Sequence, residues 1–231
     1  MTGTVCLQGG GEFSVACRGM DADLLHRAGG RVVVTALAGQ PGRDYDTATA
    51  NGVRHFKALG AGDVIGAPDA RHDPVAAAAA IRGARLLVLP GGSPSRLLAA
   101  LRVTPVGGLV AALLEDDGVV MGASAGAMVL CPWTVLPDKR SGGQLAVEPG
   151  LALVGELLVV PHWSGGSSRG DWLRAIDAVV PASTCVLGIP EASGVLVEGD
   201  GGKALTAVGT SPTHLLHEGR DLAPGNTWRL P

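Results

Sequence analysis

The 231-residue sequence predicts an α/β fold: a doubly wound, mostly parallel sheet flanked by helices, with antiparallel strands added near the C-terminus. Three observations carry this. Short Val- and Leu-rich runs alternate with Ala-rich stretches of helical length. The runs are apolar at successive positions, as expected of parallel strands covered by helices on both faces. After residue 150 the rhythm changes to short strands divided by Gly, Asp and Pro turns.

In chain order, residues 4–8 (TVCLQ) read as a first strand and 31–36 (RVVVTA) as a second. Residues 63–65, 85–89 and 118–122 read as the third, fourth and fifth. Helices are expected over 21–27, 44–59, 74–82 and 93–114, the last broken near Pro105, and again over 125–130. A strand over 156–161 precedes a helix over 168–180, where Trp172, Ile176 and Val180 share one face. Short strands follow at 185–188, 194–198, 204–208 and 213–217, expected at the edge of the main sheet. No charge block or Pro/Ser-rich linker divides the chain, so one domain over 1–231 is expected.

Composition narrows the function classes. Eighteen Lys and Arg against 21 Asp and Glu give a net charge of −3, with no basic footprint for nucleic acid or anionic lipid. Aromatics are only 3%, too few for base-stacking platforms. Hydrophobic residues are 46%, which argues against disorder. The opening MTGTVCLQGG has neither the basic start nor the apolar stretch of an export signal, and no apolar run spans a bilayer. Cys6, Cys17, Cys131 and Cys185 are scattered and predict free buried thiols in a reducing cytoplasm, with no metal site.

In open α/β sheets, reactive groups gather at the carboxyl ends of the strands. The fifth strand runs directly into Gly122-Ala123-Ser124-Ala125-Gly126-Ala127, a GxSxG between strand and helix. Small residues there let a nucleophile sit on a sharp turn without clashing with the flanking elements. The backbone N–H of Ala125, at the helix start, is a candidate oxyanion donor. A serine needs a base, and the strand over 156–161 ends at His162. The base needs an orienting acid. Glu191 follows the strand over 185–188, and Asp138 follows Ser124 by 14 positions in an expected loop, so both are candidates. The fourth strand runs into Pro90-Gly91-Gly92-Ser93, where Gly91 or Gly92 can supply a second oxyanion donor. Gly9-Gly10-Gly11-Glu12-Phe13 is a further glycine turn but not a dinucleotide fingerprint, because Ser14 stands where a third glycine is needed.

With these residues in hand, the chain resembles the dipeptidase E and cyanophycinase group of serine peptidases. The resemblance rests on GGGEF, PGGSPSRLL, GASAGAMVLCP, VPHW and GIPEAS in that order, over nearly the whole length. It implies a fold like that of class I glutamine amidotransferases, a nucleophile at Ser124 and a base at His162. It places the acid after the nucleophile helix or after the later strand, positions that correspond to Asp138 and Glu191. Glu191 is preferred, because a strand end is a stiffer mount than a loop. The group often carries Asn where this chain has Ser93, so Ser93 is a candidate substrate contact. The resemblance also implies an Arg near the start of the following helix as partner for an acidic substrate side chain, a position that Arg169 matches, and an Arg fork suits a carboxylate.

The leading expectation is a cytoplasmic serine hydrolase, monomer or homodimer, that cleaves a short peptide such as an Asp-X dipeptide without any cofactor. Two alternatives fit part of the pattern. An α/β-hydrolase esterase also uses GxSxG, but its order is Ser, acid, His. An amidotransferase-like binding or regulatory module with an idle site is the other.

Overall fold

The computed structural model describes residues 2–138, 144–166, 169–199 and 203–230. Strand β1 (Thr4–Gln8) leads through a glycine turn and a short 3-10 turn (Val15–Cys17) into α1 (Arg18–Ala28). Then come β2 (Val32–Val34), α2 (Arg43–Ala58), β3 (Val64–Gly66), α3 (Pro74–Arg82) and β4 (Leu86–Leu89). Helices α4 (Pro94–Val103) and α5 (Val106–Glu115) precede β5 (Val119–Ala123) and α6 (Ala125–Leu130). Strands β6 (Trp133–Asp138), β7 (Gln144–Pro149) and β8 (Leu157–Pro161) lead to α7 (Gly170–Asp177). The chain continues with β9 (Cys185–Ile189), β10 (Ser193–Glu198), β11 (Ala204–Gly209), β12 (Thr213–Leu215), β13 (Arg220–Leu222) and β14 (Thr227–Arg229).

Local chemistry sets several boundaries. Pro at the first helical position and a capping side chain open α3 and α4: Asp73 accepts from the Ala76 amide, and Ser93 from the Arg96 amide. The expected break near Pro105 is a bend of 83° between α4 and α5. Thr104 before the proline is extended, which ends α4.

The main sheet has eight strands in the order β14-β11-β10-β1-β5-β4-β2-β3. Strands β1, β5, β4, β2 and β3 are parallel; β10, β11 and β14 add antiparallel to the β1 edge. Its two faces are dry. Val5, Leu7, Val33, Leu87, Leu89 and Val120 pack against α3 to α6, while Cys6, Val34, Val88 and Met121 pack against α1 and Phe56 of α2. No single helix among the described residues is long and apolar enough to cross a membrane.

The C-terminal expectation needs correction. Only β10, β11 and β14 extend the main sheet; β12 and β13 join β8 and β9 in a separate sheet, order β13-β12-β9-β8. That sheet buries Leu157, Val159, Leu187 and Ile189 toward the main core. Its other face buries Leu158, Val160 and Val186 with Ile176 of α7. A second difference concerns 133–149. The expected loop around Asp138 is a hairpin of β6 and β7, with Asp138 the last residue of β6. Pro132, Pro137 and Pro149 obscure the strands in the sequence. Trp133, Val135, Leu145 and Val147 nonetheless give the hairpin an apolar face against the third core cluster.

Candidate active site

Register brings the strand ends level. In the main sheet Gln8 lies opposite Ala123, so β1 and β5 end together. In the second sheet Pro161 lies opposite Ile189, so β8 and β9 end together. The residues immediately after these four strands are the glycine turn, Ser124, His162 and the Pro190-Glu191 pair.

The end of β1 holds the other three. The Ser124 amide donates to the Gln8 carbonyl at 2.8 Å, the His162 amide to Gly9 at 2.9 Å and the Ala192 amide to Gly10 at 2.9 Å. Three consecutive main-chain carbonyls therefore fix the backbone at the serine, at the histidine and next to the glutamate. Each of the three donors has a positive φ: 49° at Ser124, 51° at His162 and 52° at Ala192. Such conformations cost on the order of 1–3 kcal/mol each and persist only where the surroundings impose them.

The side chains meet in a line. Ser124 Oγ is 2.9 Å from His162 Nε2, and His162 Nδ1 is 2.9 Å from Glu191 Oε1. A carboxylate only accepts, so Nδ1 carries the ring proton and Nε2 is left to accept from the serine hydroxyl. His162 and Glu191 side chains are 40% and 65% exposed. A contact that open contributes little to stability, so its effect is orientation of the ring. Asp138 ends β6, and its side chain lies outside the described residues.

The small residues of the serine turn are required by contact. A methyl group at Gly126 would stand 2.2 Å from the Leu89 carbonyl oxygen, and one at Gly122 2.6 Å from the Gly126 carbonyl carbon. The turn thus seats α6 directly on the ends of β4 and β5. Ala125 opens α6, and the first amides of a helix have no acceptor within it, so its N–H is a donor beside the serine. Gly91 lies on the opposite side: a methyl there would stand 3.3 Å from Ser124 Cβ. Its N–H donates to Glu12 Oε1 at 2.7 Å. Gly92, with φ +139°, runs tight against the Ala38 carbonyl.

Ser93 caps α4, as noted, and Arg169 stands at the start of α7. The Arg169 guanidinium donates to the Pro161 carbonyl at 3.1 Å and lies over the Trp172 ring, 4.9 Å from its centre. It therefore braces the residue preceding His162. Two contributors are not singled out by the sequence pattern. Gly10 faces the imidazole, and Glu12 faces Gly91; both lie in the GGGEF segment that carries part of the resemblance, but the sequence assigns neither a role. Behind them, buried Asp21 pairs with His55 at 2.7 Å and accepts from Gln8 Nε2 at 3.4 Å. Burial pushes the Asp21 carboxyl above its usual range, while the His55 hydrogen bond opposes that rise. The four cysteines are free and buried; burial raises all four thiols, that of Cys185 to about 12. No group of three His, Cys, Asp or Glu side chains among the described residues is placed to hold a metal ion.

A parallel sheet that ends in a strained serine, with an imidazole and a carboxylate aligned behind it, is the architecture of a serine-type peptidase. The model of peptidase family S51 matches residues 19–205, and the chain belongs to that family. Among solved structures, a peptidase from an acI-B1 Actinobacterium is similar, with a TM-score of 0.80 and 21% identity over 99% of this chain and 97% of that one. A candidate peptidase E protein from Listeria monocytogenes EGD-e is similar with a TM-score of 0.64 and 16% identity, over 91% of this chain and all of that one. At these identities the likeness is one of fold. No curated protein matches in sequence.

Proposed function

We propose that the protein hydrolyses short peptides through an acyl-enzyme, with Ser124 as nucleophile, His162 as general base and acid, and Glu191 as the group that orients the imidazole. The observation that carries this is the unbroken hydrogen-bonded line from Ser124 Oγ through His162 to Glu191. The serine proton passes to Nε2 as Oγ attacks the carbonyl carbon. The imidazolium then gives that proton to the leaving amine. Water attacks the acyl ester, loses a proton to Nε2, and the proton returns to Oγ as the acid product leaves. The Ala125 N–H and the Gly91 or Gly92 N–H stabilise the oxyanion. Arg169 is the candidate partner for an acidic substrate side chain, and Ser93 the candidate contact beside it. Four buried thiols fit a reducing cytoplasm.

The test is a dipeptide panel comparing Asp-X with neutral X-X, run on wild type and on Ser124→Ala. Turnover should fall at least about 10⁴-fold in Ser124→Ala with the melting temperature preserved. Turnover within tenfold of wild type overturns the mechanism. Loss of Asp-X preference in Arg169→Ala supports that contact; an unchanged preference removes it.

A further inference from the structure

The Glu12 carboxylate occupies the Gly91 amide, one of the two candidates for the second oxyanion donor. Gly91 is the residue of the β4–α4 turn that faces Ser124, and its N–H is taken by Glu12 Oε1 at 2.7 Å. A substrate carbonyl presenting its oxygen to that amide competes with Glu12. The conflict sharpens along the reaction, because the carbonyl oxygen becomes an anion next to a carboxylate. Glu12 must therefore be drawn away, or be neutralised, before Gly91 can contribute.

Glu12 has somewhere to go. It lines a cavity of about 600 Å³ together with Asn51, Arg54 and His55. It is carried by a turn in which Gly10, Gly11 and Phe13 all have positive φ. Phe13 packs by ring contacts on His55 and Phe56, with centroids 5.5 and 6.4 Å away, which ties the residue after Glu12 to α2.

We propose that Glu12 is a specificity-determining residue: a guard on the Gly91 donor that is released most readily by a substrate bearing a cationic nitrogen beside the scissile carbonyl. Such a cation pairs with the carboxylate and withdraws it from the amide, so binding itself completes the oxyanion site. A neutral substrate must wait for Glu12 to swing into the cavity unaided, and an anionic group at that place is repelled. This deepens the peptidase reading of Ser124 and rests on it.

The experiment uses two readouts on wild type, Glu12→Ala, Glu12→Gln and Ser124→Ala, each first checked for an unchanged melting transition. One is the labelling rate with a neutral alkyl fluorophosphonate, whose phosphoryl oxygen seeks the same donors. The other is the ratio of kcat/KM for a peptide amide with a free ammonium to that for its N-acetylated form. Losing one oxyanion donor costs roughly 10²–10³ in rate, so freeing Gly91 in Glu12→Ala should speed labelling by about tenfold or more. It should also lower the ammonium preference, chiefly by raising turnover of the acetylated form. Glu12→Gln keeps an acceptor but no charge, so it should lose the preference with a smaller gain in labelling. Ser124-dependent labelling that both Glu12 variants leave unchanged or slower, with the ammonium preference intact, overturns the guard alone. Absence of Ser124-dependent labelling in every variant overturns the peptidase reading of Ser124 and the guard with it.

Discussion

The imidazole of His162 lies against the bare α-carbon of Gly10. A methyl group at that carbon would stand 2.3 Å from Cε1 and 2.7 Å from Nδ1 of the ring. The turn after β1 is thus the floor on which the His162 ring rests as well as the source of the Gly9 carbonyl that holds its backbone.

Gly10→Ala is the corresponding test. The added methyl must push the ring off the line between Ser124 and Glu191, and misplacement by about an ångström costs on the order of 10²-fold in kcat. Gly10 also has φ +127°, so some stability is lost. Steady-state kinetics well below the melting temperature separate the two. A kcat within threefold of wild type contradicts the cradle.

The acid is tested by paired substitutions. Glu191→Gln leaves a partner for Nδ1 but removes the charge that favours the working tautomer and supports the imidazolium. It is expected to lower kcat by about 10²–10⁴-fold with little change in KM. Asp138→Asn is expected to leave kcat within about twofold. Reversal of the two results would transfer the role to Asp138.

Stability should be most sensitive where main chain meets main chain. Gly126→Ala sets a methyl 2.2 Å from the Leu89 carbonyl oxygen, and neither α6 nor β4 can retreat from a packed core. A loss of about 3 kcal/mol in urea unfolding is expected. Gly19→Ala, a helical site with nothing within 4 Å, should cost nothing or stabilise slightly, which makes it the control.

Acid sensitivity should have a contribution from Asp69. Partial burial pushes its carboxyl up, but the Arg71 fork, through hydrogen bonds at 2.7 and 2.8 Å and its charge, outweighs burial and holds it below its usual 3.8. A carboxyl depressed in the folded state contributes stability that is present above the unfolded value and is lost as pH falls through the folded one. The melting temperature of wild type should therefore decline below about pH 4 more steeply than that of Arg71→Met. Arg71→Met should also lose roughly 1–3 kcal/mol at neutral pH. Parallel curves across that range would show that the fork does not set the acid limb.

Much of this was legible in residues because the physics was local. The β1, β4 and β5 strands read clearly, since apolar residues at both parities have no other soluble solution. That Ser124, His162 and Glu191 come together is legible because each follows the end of a strand, and these strand ends lie level. What did not read was pairing over distance. Nothing in 185–189 distinguishes a strand of the main sheet from one in a second sheet, because both bury both faces. Prolines disguised β6 and β7, whose apolar alternation has meaning only once α7 is there to cover it. The contact of Glu12 with Gly91 is not legible in the sequence, since the two lie 79 positions apart.

The row of carbonyls at Gln8, Gly9 and Gly10 has a consequence for how the molecule fails on heating. Ser124 belongs to one sheet, whereas His162 and Glu191 hang from the other, and the Gly9–His162 and Gly10–Ala192 bonds stitch the seam. Should the smaller sheet ease away by even an ångström or two, both sheets would keep their ladders and circular dichroism would register little. The hydrogen-bonded line from Ser124 to Glu191 would already be broken. On heating, activity is therefore expected to be lost before the circular dichroism transition when both are followed on the same sample.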